Sequence, residues 1–517
     1  MEKTWGRVLA ALDEDSDVQA FPDALIALQD TLELPDFISD LARLEWARHQ
    51  IANAEPTIAY PPKTLSVNSN FTLMPVAWKN LTALIKTDSE NEPIRPERGQ
   101  AHVMIWRHPK TGVLHTREAG DIDLLALKIA VEQIDVLEAA TAGHVNVSRL
   151  DIALDQAVTQ GILMAPESRI RRTALSLTQG ANKFMPFLTA DIFTLQWHIT
   201  QACDLHCKHC YDRSHRPDMS YDTAIGVLDS FYDFCRQMHV KGQVTFTGGN
   251  PLLYPRFNDI YRAASERGFG LAILGNPTPI AQIEGLLDIE KPLYFQISLE
   301  GLAEHNDYIR GDGHFHRSLD FLDQLRRLDI YTMVMLTLTR DNLDQVLPLC
   351  DLLKDRADFF TFNRLSTVGE GAQLLMPGQT DFETFIRKYE AATYENPILG
   401  LKDNLINIVR KDKKAAPFGG CTGYGCGAAF NFVALLADGE VHACRKFPSP
   451  IGNITQTSLV DIYASDLAGQ YRSGSEACRD CSLSPVCRGC FASTHSYALD
   501  VFKDRDPFCF YSEKLDV

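Results

Sequence analysis

The distribution of cysteine is the feature of this 517-residue chain that most constrains what it can fold into. No cysteine precedes residue 203, three of the thirteen lie within Cys203–Cys210, and eight lie within Cys421–Cys509. Clustered cysteines in a cytosolic protein more often bind metal or do catalysis than form disulfides. Cys235 and Cys350 stand alone in helical patterns, and we expect both to be small buried hydrophobic residues. The pattern therefore predicts two metal-binding regions.

Composition and charge narrow the class of protein. Hydrophobic residues make up 45% and charged residues 23%, and the formal net charge is −17. This composition is ordinary for a soluble globular chain, and the length predicts two to four domains. The acidic balance argues against non-specific nucleic-acid binding, which needs a basic face. We find no apolar run that could span a bilayer and no signal peptide in residues 1–14, so we expect a cytoplasmic protein with no membrane or nucleic-acid partner.

The N-terminal third is predicted to be mainly helical. Residues 1–60 have helical patterns, and residues 101–116 alternate apolar and polar positions around a Pro-Lys-Thr-Gly turn, which is typical of a β-hairpin. Two helices are expected at 121–142 and 146–160. Helices with a small hairpin indicate a winged-helix-like module over residues 1–170.

From about residue 190 the pattern changes to strands that alternate with helices. Such alternation predicts an α/β fold with parallel strands and helical crossovers, and six repeats fit a partial (β/α)6 TIM-like barrel over residues 190–370. In such barrels the chemistry gathers at the carboxyl ends of the strands. The predicted strands are Phe193–Thr200, Gln243–Thr247, Gly270–Leu274, Leu293–Ser298, Thr332–Leu338 and Phe359–Leu365.

The first cysteine cluster lies in the loop directly after the first predicted strand. Cys203, Cys207 and Cys210 are spaced Cys-x3-Cys-x2-Cys. Three thiolates from one short loop can hold three irons of a four-iron cluster and leave the fourth open for a chelating ligand. A three-cysteine zinc knuckle with a distant fourth ligand is the alternative.

The ends of later strands carry motifs that fit a small ligand. The second strand ends in Thr-Gly-Gly-Asn-Pro, where Gly248 and Gly249 allow close backbone approach to an amino-acid ligand. The fourth ends in Ser298-Leu-Glu300-Gly, which is suited to a ribose, and Arg310 follows. Each motif is weak alone, but all fall at successive strand ends of one barrel.

Together these segments resemble the radical S-adenosylmethionine superfamily. The resemblance implies that Cys203, Cys207 and Cys210 hold a reducing [4Fe-4S] cluster whose open iron chelates S-adenosylmethionine. It also implies that Gly248, Gly249, Asn250, Ser298, Glu300 and Arg310 bind that cofactor. One electron would release a 5′-deoxyadenosyl radical, which abstracts a substrate hydrogen. Asn250 departs from the family's usual Glu, so a negative charge is lost while a carbonyl acceptor remains.

The C-terminal cysteines form a second constellation over residues 371–517. A zinc ribbon is the alternative, but ribbon pairs are usually separated by about 15–20 residues, and here five residues separate Cys481 from Cys487. The spacing resembles the SPASM extension, a cysteine-rich iron–sulfur domain of peptide-modifying radical enzymes. The resemblance implies two further [4Fe-4S] clusters, for three in all. The implied ligands are Cys421, Cys426, Cys444 and Cys490 for the first and Cys478, Cys481, Cys487 and Cys509 for the second. Because all eight ligands are present, we favour electron transfer over substrate ligation for these clusters.

Two further features bear on the substrate. Sulfatase-maturing relatives place a catalytic Asp where this chain has Arg445, so sulfatase maturation is not expected. The winged-helix-like portion is similar in layout to elements that bind a leader peptide as an extra strand at a sheet edge. A purely structural helical domain is the alternative.

The leading hypothesis is a radical maturase of ribosomally made peptides that installs a crosslink, a thioether or another oxidative modification. It would need a peptide or small protein substrate and an external electron donor such as flavodoxin or ferredoxin. One alternative is a maturase that crosslinks an enzyme subunit. Another, of a different class, is an iron–sulfur redox-sensing regulator.

Overall fold

The chain divides into two compact units, Met1–Glu167 and Ser168–Val517. The computed structural model describes residues 21–31, 33–55, 61–85, 95–172 and 181–511. The predicted helical pattern of residues 1–14 lies outside these ranges. The predicted division of the second unit at residues 370/371 stays a prediction.

The first unit contains a three-stranded antiparallel sheet and a separate two-stranded antiparallel pair. The predicted hairpin is confirmed, since Val103 pairs with Glu118 and Arg107 pairs with Leu114 across the turn. The strands are β1 Ser66–Val67, β2 Phe71–Lys79, β3 Glu97–Arg107, β4 Leu114–Glu118 and β5 Leu163–Met164.

Alternation along β3 divides the apolar side chains of this unit between two cores. Met104 and Trp106 belong to one hydrophobic cluster, and Val103 and Ile105 belong to the other. Successive side chains of a strand point to opposite faces, so one strand serves both cores. The winged-helix-like identity of the unit stays a prediction.

The helices of the first unit correct one expectation. A single helix over 121–142 is wrong, because Gln133 adopts a left-handed conformation with φ 53° and ends the first helix. Asp135 then caps a new helix by accepting a hydrogen bond from the amide of Glu138. The observed helices are Phe21–Leu28, Ile38–Asn53, Asp121–Glu132, Val136–Gly143 and Val147–Thr159.

The second unit is built on the predicted parallel sheet. All six predicted strands are present, and each pairs in parallel with the next in chain order. A fold of this kind places the carboxyl ends of its strands on one face. The strands are β6 Ile192–Thr200, β7 Lys241–Gly248, β8 Gly270–Leu274, β9 Tyr294–Ser298, β10 Thr332–Leu338 and β11 Phe359–Arg364.

Helices connect these strands, as parallel pairing requires. Their apolar faces pack on the sheet, and aromatic residues such as Trp197, Phe231 and Phe246 are fully buried between the layers. The crossover helices are Tyr221–Met238, Phe257–Glu266, Ile280–Leu287, Ala303–Arg310, His314–Arg327 and Val346–Leu353.

The C-terminal region extends the same sheet. Its strands are β12 Phe432–Leu435, β13 Glu440–His442 and β14 Pro450–Asn453, and β12 pairs in parallel with β6. This pairing brings the second cysteine region beside the first strand and its cluster loop. The remaining helices are Gln379–Ala392, Ile406–Asp412, Leu459–Ala464, Asp466–Ser473 and Phe491–Ser496.

Helix length and hydropathy bear on membrane insertion. Of the helices in the described ranges, none combines the length and apolar character needed to cross a membrane.

Candidate active site

A cavity of about 350 Å³ lies where the carboxyl ends of the strands meet the cluster loop. Two of the predicted cofactor contacts, Asn250 and Glu300, do not line this cavity. The predicted site residues that do line it are Cys203, Cys207, Cys210, Gly248, Gly249, Ser298 and Arg310.

The cluster loop presents its three thiols to this cavity. Burial raises the pKa of both Cys207 and Cys210, and the Arg310 guanidinium partly offsets this for Cys207. Arg310 Nη1 lies 3.7 Å from Cys207 Sγ, and Asn276 Nδ2 lies 3.7 Å from Cys203 Sγ. Three thiols with nitrogen donors beside two of them are a donor set that fits a cluster with one open iron, because hydrogen bonds to sulfur stabilise bound thiolate.

The Gly-Gly pair holds the end of β7 against the start of this loop. The amides of Gly249 and Asn250 donate to the carbonyls of Thr200 and Ala202 at 2.9 and 2.7 Å. A Cβ on Gly248 would lie 2.3 Å from the Thr200 oxygen, and one on Gly249 would lie 2.1 Å from the Ala202 oxygen. Backbone packing therefore requires glycine at both positions, and contact of this pair with the cofactor stays a prediction.

Asn250 is buried beneath the loop. Its Oδ1 accepts from the Leu252 amide, and its Nδ2 donates to Asp204 Oδ1 at 3.2 Å. Asn276 Nδ2 donates to the same Asp204 oxygen at 2.7 Å. The chain therefore keeps a carboxylate within hydrogen-bond reach of the position where the superfamily it resembles usually has Glu.

Glu300 forms a buried network behind the cavity wall. Its Oε1 accepts from Arg310 Nη2 at 2.6 Å and lies 2.7 Å from His209 Nε2, while its Oε2 accepts from the Thr337 amide at 2.7 Å. Burial alone would raise the pKa of Glu300, but His209, Arg310 and these hydrogen bonds hold it far below its usual value. The carboxylate therefore stays charged and aims Arg310 at Cys207. A direct contact between Glu300 and the cofactor stays a prediction.

Four of the C-terminal cysteines gather into one thiol group. Cys426 is close enough to Cys490, Cys421 and Cys444 for each to raise its pKa, and burial raises the pKa of Cys426 to about 12 and that of Cys444 to about 11. This set has the same members as the ligands implied for the first auxiliary cluster.

The other four cysteines form a second group. Cys478, Cys481, Cys487 and Cys509 line one small cavity. Burial raises the pKa of Cys478 to about 11, with further contributions from Cys481 and Cys509. Thiols with such raised pKa values keep their protons unless a cation stabilises the thiolates, and bound irons would supply that charge. Ligation by either group stays a prediction.

The thiol groups are not arranged around a single ion. Within the described ranges, no three His, Cys, Asp or Glu side chains form a site for one metal ion. A four-iron cluster places each thiolate on a different iron, so its ligands are spaced more widely than those of one zinc.

Two functional features of the cavity wall escaped the sequence reasoning. Arg364 ends β11, is buried, and forms a bidentate pair with Asp506 at 2.8 and 2.9 Å and a bond to Asp403 at 2.7 Å. It thus links the barrel to the second thiol group. The signal available in the sequence was a charged residue at the end of the sixth predicted strand.

The second feature is a group of cations contributed by the C-terminal region. Arg445 and Lys446 line the cavity, and Arg445 Nη1 donates to Thr247 Oγ1 at 3.3 Å. Burial lowers the pKa of Lys402. Cys421 and Cys444 oppose that shift, and the positive charges of Lys446 and Arg445 add to it. The sequence drew attention to Arg445 only as a missing general base.

Comparison with known families agrees with this geometry. Residues 197–353 match the model of the Radical SAM superfamily, and residues 426–490 match that of the SPASM iron-sulfur cluster-binding domain.

Two relatives and one solved structure illustrate the range of similar proteins. The antilisterial bacteriocin subtilosin biosynthesis protein AlbA of Bacillus subtilis is 26% identical over 332 residues, covering 61% of this chain and 69% of AlbA. The AdoMet-dependent heme synthase of Methanosarcina barkeri is 24% identical over 342 residues, covering 61% of this chain and 96% of that protein. Streptococcus suis SuiB, crystallised with its precursor peptide SuiA, shares the fold with a TM-score of 0.50 and 16% identity, covering 79% of this chain and 96% of SuiB.

Proposed function

We propose that this chain, which carries a radical SAM domain and a C-terminal SPASM domain, is a maturase that oxidatively modifies a ribosomally made peptide. The observation that carries the proposal is the cavity in which three cluster-loop thiols face the ends of the barrel strands. The relationship to a bacteriocin biosynthesis protein supports a peptide as substrate.

The chain's own residues account for cofactor placement. When bound, a four-iron cluster and S-adenosylmethionine supply the electron and the 5′-deoxyadenosyl radical that abstracts a substrate hydrogen. Cys203, Cys207 and Cys210 would hold the cluster, and Ser298 lines the cavity at the end of β9, where it can donate to a ribose. The Glu300–Arg310 pair orients the donor to Cys207.

The two C-terminal thiol groups would hold one auxiliary cluster each. Each group supplies four thiols, which leaves no iron of a four-iron cluster open. We therefore assign electron transfer to both clusters. The first group borders the cavity through Arg445 and Lys446, which directly follow Cys444.

The first unit would recognise a leader segment of the peptide. Strands β2 and β4 are the outer strands of its sheet, and each pairs only with β3 among the described strands. An outer strand has backbone groups free to pair with an added peptide strand. The match to SuiB covers more of this chain than the second unit contains, and SuiB was crystallised with its precursor peptide.

A heme-forming enzyme is a second candidate. Heme synthases of Methanosarcina barkeri and Nitratidesulfovibrio vulgaris are 24% and 25% identical to the chain, nearly the identity of the bacteriocin protein. Their alignments span 61% and 62% of this chain. We favour a peptide over a porphyrin as the substrate, because the outer strands of the sheet in the first unit can pair with a peptide strand.

The test is anaerobic reconstitution followed by turnover with each short peptide that the genome encodes beside this gene. We expect about twelve irons per chain from three four-iron clusters, cleavage of S-adenosylmethionine, and a mass loss in the peptide. Joint replacement of Cys203, Cys207 and Cys210 by Ala should remove about four irons and abolish cleavage. The matched control, Cys235→Ala at an isolated cysteine, should keep all irons. Stoichiometric zinc with no cleavage would refute the proposal, and turnover of an iron porphyrin in place of peptide would favour the second candidate.

A further inference from the structure

The cavity wall carries more positive than negative charge. Five cationic side chains line it, whereas Asp212 is its one lining carboxylate among the described residues. Asp212 is already engaged by Gln201 Nε2 at 3.2 Å and by Ser214. The five cations are Arg213, Arg310, Arg364, Arg445 and Lys446.

Three of these cations already form ion pairs or hydrogen bonds within the protein. Arg310 pairs with Glu300, and Arg364 pairs with Asp403 and Asp506, with all these carboxylates behind the wall. Arg213 donates to the Cys207 carbonyl at 3.3 Å and to His206. These contacts hold the cluster loop and the strand ends in place.

Arg445 and Lys446 are different. Within the described part of the chain neither side chain forms a salt bridge, and the hydrogen bond of Arg445 goes to the neutral hydroxyl of Thr247. Both are partly shielded from solvent, and Lys402 adds positive charge nearby. Desolvated cations are costly unless an anion pairs with them.

Their place in the cavity shows where an anion that pairs with them would lie. Thr247 is the residue before the Gly-Gly pair at the end of β7, so Arg445 reaches from the C-terminal region to the strand ends that surround the cluster loop. A group bound between Arg445 and Lys446 would therefore lie within the reaction cavity.

We propose that Arg445 and Lys446 form a subsite for a carboxylate of the substrate, next to the carbon from which hydrogen is removed. The inference rests on the proposed function, because it defines the substrate class of the same cavity. The carboxylate is either an Asp or Glu side chain or the C-terminus of the peptide. A guanidinium and an ammonium can each give it a charge-assisted hydrogen bond.

The test compares three pentapeptides, each carrying an uncharged BODIPY fluorophore, by anisotropy with the anaerobic holoenzyme and S-adenosylmethionine. The first is Gly-Gly-Glu-Gly-Gly with an amidated C-terminus, the second has Gln for Glu and a free C-terminus, and the third has Gln and an amidated C-terminus. We expect one of the two acids to bind at least about tenfold more tightly than the neutral peptide. Which acid binds identifies the source of the carboxylate.

The double variant Arg445→Gln, Lys446→Gln should lose this preference. The matched control, Lys354→Gln, removes a charge from an exposed lysine and should keep it. Equal binding of the three peptides, or binding of none, overturns the subsite. A double variant that keeps the preference but shifts the midpoint potential of a cluster also overturns it, because the two cations would then serve the cluster. Failure of the proposed function would appear separately, as absent cofactor cleavage in the wild-type preparation.

Discussion

At the scale of single residues, Glu300 is the buried carboxylate that contacts the most groups around the cluster loop. It is 1% exposed, yet it serves Arg310, His209 and the Thr337 amide at once. A buried carboxylate persists only when such partners compensate for its lost hydration. Its part in the site is therefore to position Arg310 and His209.

Replacement of Glu300 by Gln should destabilise the second unit and loosen the cluster loop. Removing one partner of a buried pair leaves Arg310 uncompensated, at a cost of about 3 kcal/mol in the free energy of unfolding. Urea unfolding of the apoprotein measures this cost. The iron content of the reconstituted protein shows whether the cluster loop still holds its cluster. Asp259→Asn, which breaks an exposed pair with Arg256, should cost less than about 1 kcal/mol. Equal effects of the two variants would contradict the positioning role.

His314 should make the stability of the protein depend on pH. It is buried at the start of helix His314–Arg327, and burial, with Arg310 and Arg317, lowers its pKa to about 4. An unfolded histidine has a pKa of about 6.5, so between these values the unfolded chain binds the extra proton. Stability is then complete above about pH 6.5 and falls as the pH drops towards 4.

The expected contribution is about 2 kcal/mol lost between pH 6.5 and 5. His314→Gln should remove that part of the pH dependence, whereas the exposed His316→Gln in the same helix should leave it unchanged. Urea titrations of the apoprotein at the two pH values make the comparison. An unaltered slope in His314→Gln would exclude this histidine as the cause.

At the scale of elements, the cluster loop is held between two glycine contacts from different strands. Gly248 and Gly249 pack on its beginning, and Gly369, in the turn after β11, packs on its end. The amide of Glu370 donates to the Cys210 carbonyl at 2.8 Å. The ends of the second and sixth parallel strands, β7 and β11, thus hold one loop between them.

Gly369→Ala should therefore displace the cluster loop. Gly369 has φ +59°, and a Cβ there would lie 2.6 Å from the Tyr211 carbonyl oxygen. We expect a loss of up to about four irons per chain and of cofactor cleavage, measured after reconstitution. Gly112→Ala is the control, since Gly112 has φ +70° but only ordinary contacts at 3.9 Å. Full iron content in Gly369→Ala would show that the loop tolerates the shift.

At the scale of the whole molecule, the division at residues 167/168 separates recognition from chemistry in the proposed function. Each unit has its own hydrophobic clusters, so each is expected to fold with its own core. All thirteen cysteines lie in the second unit.

Deletion of residues 1–167 should leave cluster content and cofactor cleavage intact and abolish turnover of the full-length peptide. In the full-length enzyme, binding of the leader to the first unit would supply the energy that positions the reacting residue of the peptide, and the deletion removes that energy. The core peptide without its leader should be an equally poor substrate for both forms. Calorimetry of the peptide with the isolated 1–167 fragment completes the test. No binding by the fragment, with full turnover by the truncated enzyme, would return the first unit to a structural role.

Much of this architecture could be predicted because it depends on local patterns. The alternation of strand and helix patterns placed all six parallel strands, and three cysteines directly after the first of them placed the cluster loop. The break at Gln133 could not be read in this way, because a left-handed residue interrupts an otherwise continuous apolar stripe. The pairing of β12 with β6 also depends on contacts between distant segments.

The sequence by itself determined the chemistry available to this protein, because spacing within one loop already sets how many thiols can meet. Only the tertiary structure decided which distant groups meet the loop. It buried Glu300 with Arg310, and it brought Arg445 to Thr247, 198 residues away along the chain. Packing in three dimensions brings such groups together. Because burying an unpaired charge is costly, the charged groups that packing buries need a partner of opposite charge.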